Sequence, residues 1–69
     1  MYAVMYADKV KELREEKGLS RRGLAAAAGI SESTARSVER EAAVQSATAW
    51  KVACVFGVEV RDIARPAGQ

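Results

Sequence analysis

Between residues 18 and 40 the chain reads Gly-Leu-Ser-Arg-Arg-Gly-Leu-Ala-Ala-Ala-Ala-Gly-Ile-Ser-Glu-Ser-Thr-Ala-Arg-Ser-Val-Glu-Arg, and this stretch restricts the fold more than any other. Ser20 and Ser31 each precede a run of good helix formers, where a serine hydroxyl can accept from the free amides of a helical first turn. The spacing predicts a helix over Arg21–Ala28 and another over Glu32 to about Arg40. Gly29 lies between them, and a left-handed backbone is cheap there because glycine has no Cβ. Two short helices joined by so tight a turn hold the second one out from the body, a format that lets a helix enter a DNA groove. Its outward side chains are then Glu32, Ser33, Arg36 and Ser37.

The rest of the chain also reads as helix, and the expected fold is all-α with five helices and no strand. The first runs from about Ala7 to Lys17, with Val10 and Leu13 inward and Glu/Lys pairs outward. Gly18 closes it, and Leu19 packs back on the core. After a loop over residues 41–45, Ser46 is expected to cap a fourth helix that Gly57 ends at Phe56. Its inner stripe is Ala49, Val52, Ala53 and Phe56. A short fifth helix over Val60–Ala64 stops before Pro66. The layout is an N-terminal extension over 1–6, a domain over 7–65 and a frayed tail over 66–69. The alanines at 25–28 favour helix, and a small residue at Ala25 also lets the two helices of the motif approach closely. Gly23, inside the second helix, costs up to about 1 kcal/mol against alanine.

Size and composition narrow the function. The chain has 69 residues, enough for one small core. Hydrophobic residues make up 49%, but many are alanine, so the core has to come from close helix packing. The single cysteine, Cys54, cannot form an internal disulfide. No apolar run approaches the roughly 20 residues that span a bilayer. The opening Met-Tyr-Ala-Val-Met-Tyr-Ala lacks the basic start of a signal peptide, so a cytoplasmic protein is the simplest reading. There is no histidine, no cluster with metal-ligand spacing and no base to activate Cys54. The paired carboxylates Glu15 and Glu16 face solvent on a charged helix. Neither an enzyme nor a cofactor is expected.

The net charge of +2 says little, but its distribution says more. Over residues 8–17 the charges cancel. Over residues 21–40, Arg21, Arg22, Arg36 and Arg40 stand against Glu32 and Glu39, which leaves an excess of positive charge around the paired helices. A local basic surface is the electrostatic footprint of a nucleic-acid partner.

Residues 9–63 resemble the lambda-repressor/Cro-like (XRE-type) helix-turn-helix domain of bacteria and their phages. The resemblance rests on Val10-Lys-Glu-Leu-Arg14, Gly18-Leu-Ser20, Leu24-Ala25, Gly29-Ile-Ser31, Ser33-Thr34, Val38-Glu39-Arg40, and Val52-Ala53 through Phe56-Gly57-Val58. It implies a five-helix domain whose third helix lies in the major groove, usually with two copies on a pseudo-palindromic site. Carried over by position, Arg21 is expected to touch a phosphate at the start of the second helix. Glu32, Ser33 and Ser37 take the base-reading positions with Arg36 beside them. An arginine can pair with guanine and a glutamate can accept from cytosine. Glu32 also repels phosphate, and Arg22 either pairs with it or reaches the backbone. Arg40 and the amides around Ser46 are expected to grip the backbone further along. Arg14 and Glu39 match the family's interhelical ion pair.

The chain departs from the pattern in three places. Glu41 stands where the family commonly has glycine, the 41–47 loop is slightly short and lacks the usual proline, and Ala35 replaces a branched inner residue. Trp50 and Cys54, at i,i+4 beside the inner stripe of the fourth helix, have two readings. One is an expanded core. The other is an apolar self-association patch completed by Val55 or Ile63.

The resemblance implies a small sequence-specific regulator of transcription, a Cro-like repressor of phage or prophage type. Its partner is double-stranded DNA, and it forms a homodimer at least on that DNA. The competing reading is a protein-interaction module, such as an antitoxin bound to a protein partner, that kept the fold without the groove chemistry.

Overall fold

The computed structural model describes residues 1–40 and 42–68. The loop start expected at Glu41 and the frayed end expected at Gln69 lie outside them. In chain order the elements are β1 (Tyr2–Met5), α1 (Ala7–Glu16), α2 (Arg21–Ala28), α3 (Glu32–Val38), β2 (Ala43–Gln45), α4 (Ser46–Phe56), a single 3-10 turn at Val60–Asp62, and β3 (Ala64–Pro66).

The helices form for local reasons. Ser20 Oγ accepts from the Gly23 amide at 3.0 Å, and Ser31 Oγ accepts from the Thr34 amide at 3.0 Å, so both helices of the motif begin at capped ends. At Gly29 the backbone is left-handed, with φ 70° and ψ 35°. That geometry lets the Ile30 amide return to the Ala25 carbonyl at 3.0 Å and turns the chain into α3. Ala25 is buried where the two helices meet, while Ala26 and Ala27 are exposed. The need for a small residue therefore falls on Ala25.

The all-α, five-helix expectation is wrong. β1 is the centre of a three-stranded antiparallel sheet of order β2-β1-β3. Tyr2 faces Gln45 and Val4 faces Ala43 on one side, while Ala3 faces Pro66 and Met5 faces Ala64 on the other. Residues 2–5 of the expected extension are therefore the middle of a sheet, and Pro66 belongs to an edge strand. The loop expected before the fourth helix contains β2.

The expected fifth helix shrinks to one turn because its backbone groups find better partners. Glu59 and Asp62 form a reciprocal capping box around Val60–Asp62. The Ile63 carbonyl then accepts from the Tyr6 amide at 2.7 Å, next to the pairing of β1 with β3. Five residues carry too few internal hydrogen bonds to compete with a strand already in place. Two helix boundaries also move. α3 ends at Val38, leaving Arg40 beyond it, and Gln45 rather than Ser46 holds the cap position of α4, with no side-chain cap bond.

The core draws on every layer. Met5, Val10, Leu24, Val38 and Val52 are fully buried, from β1, α1, α2, α3 and α4 respectively, as is Ile63 between the 3-10 turn and β3. Alternation along β1 turns Ala3 and Met5 inward and leaves Tyr2 exposed on the other face.

Candidate nucleic-acid interface

α3 is presented by what lies beneath it. Ala35 and Val38 are fully buried on its inner side. The small Ala35 lets the helix sit close to its support. At its C-terminal end Arg14 reaches across from α1: Nε donates to Glu39 Oε2 at 2.7 Å and one terminal nitrogen donates to Oε1 at 3.2 Å. The other terminal nitrogen donates to the Leu19 carbonyl at 2.8 Å. The two side chains are only 13% and 8% exposed, so this bidentate pair works where water screens it little. It joins α1, the turn before α2 and the end of α3 in one bonded unit.

The outer surface of this unit carries the residues singled out from the sequence. Arg21, Arg22, Glu32, Ser33, Arg36 and Arg40 are exposed, and Ser37 is half-buried. Among the described residues none of the four arginines takes part in an ion pair, and Arg22 is not paired with Glu32. Their positive charge is therefore open to an outside partner. Ser37 Oγ donates to the Ser33 carbonyl at 3.2 Å, which leaves its lone pairs to accept from a ligand.

Other expected contacts change. The Ser46 amide is already used, donating to the Met1 carbonyl at 3.0 Å, so it is not free for a phosphate. Ile63 is fully buried in the core and cannot complete a self-association patch. Trp50 is 63% exposed and Cys54 is exposed, so neither expands the core. They line a shallow hollow with Ala27, Ala28, Lys51 and Val55.

Beside α3 the structure adds a surface absent from the sequence-based expectations. A groove of about 410 Å³ runs between α3, β2 and the start of α4, and Tyr2, Thr34, Ser37, Gln45 and Thr48 supply its polar wall. The alternation Tyr2, Val4, Tyr6 against Ala3, Met5 is the one sequence signal for the strand that brings Tyr2 here. Among the described residues there is no group of histidine, cysteine, aspartate or glutamate able to hold a metal ion, and no helix is long and apolar enough to cross a membrane.

Comparison with known proteins agrees with this geometry. The helix-turn-helix family model HTH_3 matches residues 10–63. The structure is similar to that of the restriction-modification controller protein C.AhdI from Aeromonas hydrophila, with a TM-score of 0.73 and 33% identity over 81% of this chain and 86% of that one. It is also similar to an HTH_3 family transcriptional regulator from Vibrio cholerae, with a TM-score of 0.69 and 32% identity over 81% of this chain but only 32% of that one. No curated protein gives a significant match. With a capped and braced α3, a basic outer surface and a family match over most of its length, the chain belongs to the HTH_3 family of lambda-repressor-like helix-turn-helix DNA-binding regulators.

Proposed function

We propose that the protein regulates transcription by binding a pseudo-palindromic operator as a symmetric dimer, with α3 of each copy in the major groove. The observation that carries this reading is the outer surface of α3. Ser33, Arg36 and Ser37 project from a helix held rigidly behind by Ala35, Val38 and the Arg14–Glu39 pair. Arg36 reads guanine, Glu32 accepts from cytosine N4, and Ser37, whose proton is already committed, accepts from an amino group of adenine or cytosine. Arg21, at the N-terminus of α2, holds a phosphate. Arg22 and Arg40 add backbone contacts. Bound at a promoter, the dimer represses by occluding polymerase. The similarity to C.AhdI supports a controller-type bacterial regulator ahead of the phage, Cro-like setting that the sequence resemblance implied.

The test is selection of bound duplexes from a random pool, followed by titration across salt concentrations. Binding should weaken steeply with salt, each neutralised phosphate adding about 0.9 to the slope of log affinity against log salt. Arg21→Glu combined with Arg36→Glu should abolish binding while the melting transition persists. A wild-type chain that enriches no duplex, or binds with no salt dependence, would instead favour the protein-interaction reading.

A further inference from the structure

We infer that the outer face of the sheet is a second DNA contact, in which Tyr2 and Gln45 hold the sugar-phosphate backbone at the rim of the groove that α3 enters. This rests on the operator-binding reading above and adds to it a strand outside the family match, which begins at residue 10.

Three observations carry it. Tyr2 and Gln45 are directly opposed on β1 and β2, so their side chains leave the same face of the sheet as near neighbours. Both are exposed, Tyr2 at 57%. Both line one groove with Thr34 and Ser37, so this face of the sheet flanks α3. A helix with its side chains is about 10–12 Å across, and the major groove is about 12 Å wide. α3 therefore fills the groove, and whatever flanks it on the same surface meets the rim, which is sugar and phosphate.

The chemistry of the wall fits that partner. Among the described residues it offers a phenol, a carboxamide and the hydroxyls of Thr34 and Thr48 as donors, with no carboxylate to repel an anion. These are the neutral donors that proteins use on phosphate oxygens. Ser31 Oγ donates to Thr34 Oγ1 at 2.9 Å, so the Thr34 hydroxyl keeps its own proton to give outward. A neutral donor displaces no condensed counterion, and a phosphate contact reads no base. The contact should therefore add affinity without changing the salt slope or the preferred sequence.

The experiment uses the whole chain and a fluorescein-labelled duplex of about 30 base pairs, long enough for two half-sites, recovered by selection with the wild type. A scrambled duplex serves as the second probe. Tyr2→Phe keeps the ring and removes only the hydroxyl, and Gln45→Ala changes an exposed edge position, so both should melt like the wild type. Each should weaken binding about tenfold to a hundredfold on both duplexes, in line with loss of one hydrogen bond to a charged group. The salt slope should hold, and interference from ethylating phosphates that flank the half-site should disappear. Arg36→Ala should instead change the base preference. The inference is overturned if Tyr2→Phe and Gln45→Ala bind like the wild type with the same interference pattern, or if they alter the preferred sequence. A wild type that binds no duplex overturns the operator reading itself.

Discussion

Glu39 shows how much one side chain can carry. It sits at the C-terminal cap of α3, accepts two hydrogen bonds from Arg14 and keeps only 8% of its side chain exposed. Glu39→Ala leaves the Arg14 guanidinium largely buried and bonded only to the Leu19 carbonyl. Breaking such a pair costs about 3–5 kcal/mol. Glu12, paired with Lys9 at 3.9 Å on an open surface, is the matched control. Its loss should cost less than about 0.5 kcal/mol, as exposed pairs do. Urea melts of the two variants check this, and equal midpoints would mean that the pair does not brace α3. At the same scale, the family pattern in the sequence located Arg14, Glu39 and the exposed arginines, because motif positions map directly onto helix faces. It did not show that the Ser46 amide is taken by Met1, a residue far away in the chain.

Among the elements, β1 is the one that overturns the expected architecture. Met5 is fully buried and sits in the central strand, opposite Ala64. Replacing it with alanine removes most of its side chain from a packed core and should cost about 2–5 kcal/mol. Calorimetry should show the whole molecule melting early and as one transition. If Met5→Ala melted like the wild type, residues 2–5 would be an appendage and not the middle of a sheet. The helices were legible because capping serines, terminal glycines and apolar spacing act within a few residues of one another. The strands were not. β2 and β3 have three residues each, too few to show a periodic pattern. β1 shows its alternation in a segment whose partners lie some 40 and 60 positions away.

At the scale of the whole molecule, the dimer of the proposed function needs a seam. Trp50 is 63% exposed on α4, over a hollow shared with Ala27, Cys54 and Val55, and a large apolar side chain left in water favours a partner surface. We propose that this patch is the seam of the symmetric dimer. Because the residue is exposed, Trp50→Glu should change stability by no more than about 0.5 kcal/mol. It should shift the sedimenting species to monomer and weaken binding to a two-half-site operator far more than to a single half-site. A wild-type mass that stays monomeric at every concentration, on and off DNA, would remove the patch from the account.

The amino-acid sequence by itself determined the paired helices, the turn at Gly29, the basic character of the outer surface and the face that α3 turns outward. Each follows from interactions between residues close together in the chain. Only the tertiary structure decided that residues 2–5, 43–45 and 64–66 form a sheet, that Ile63 lies in the core while Trp50 does not, and that Tyr2 stands beside α3. A strand exists only when distant segments satisfy its backbone, and alternation within one segment does not name the partners it pairs with.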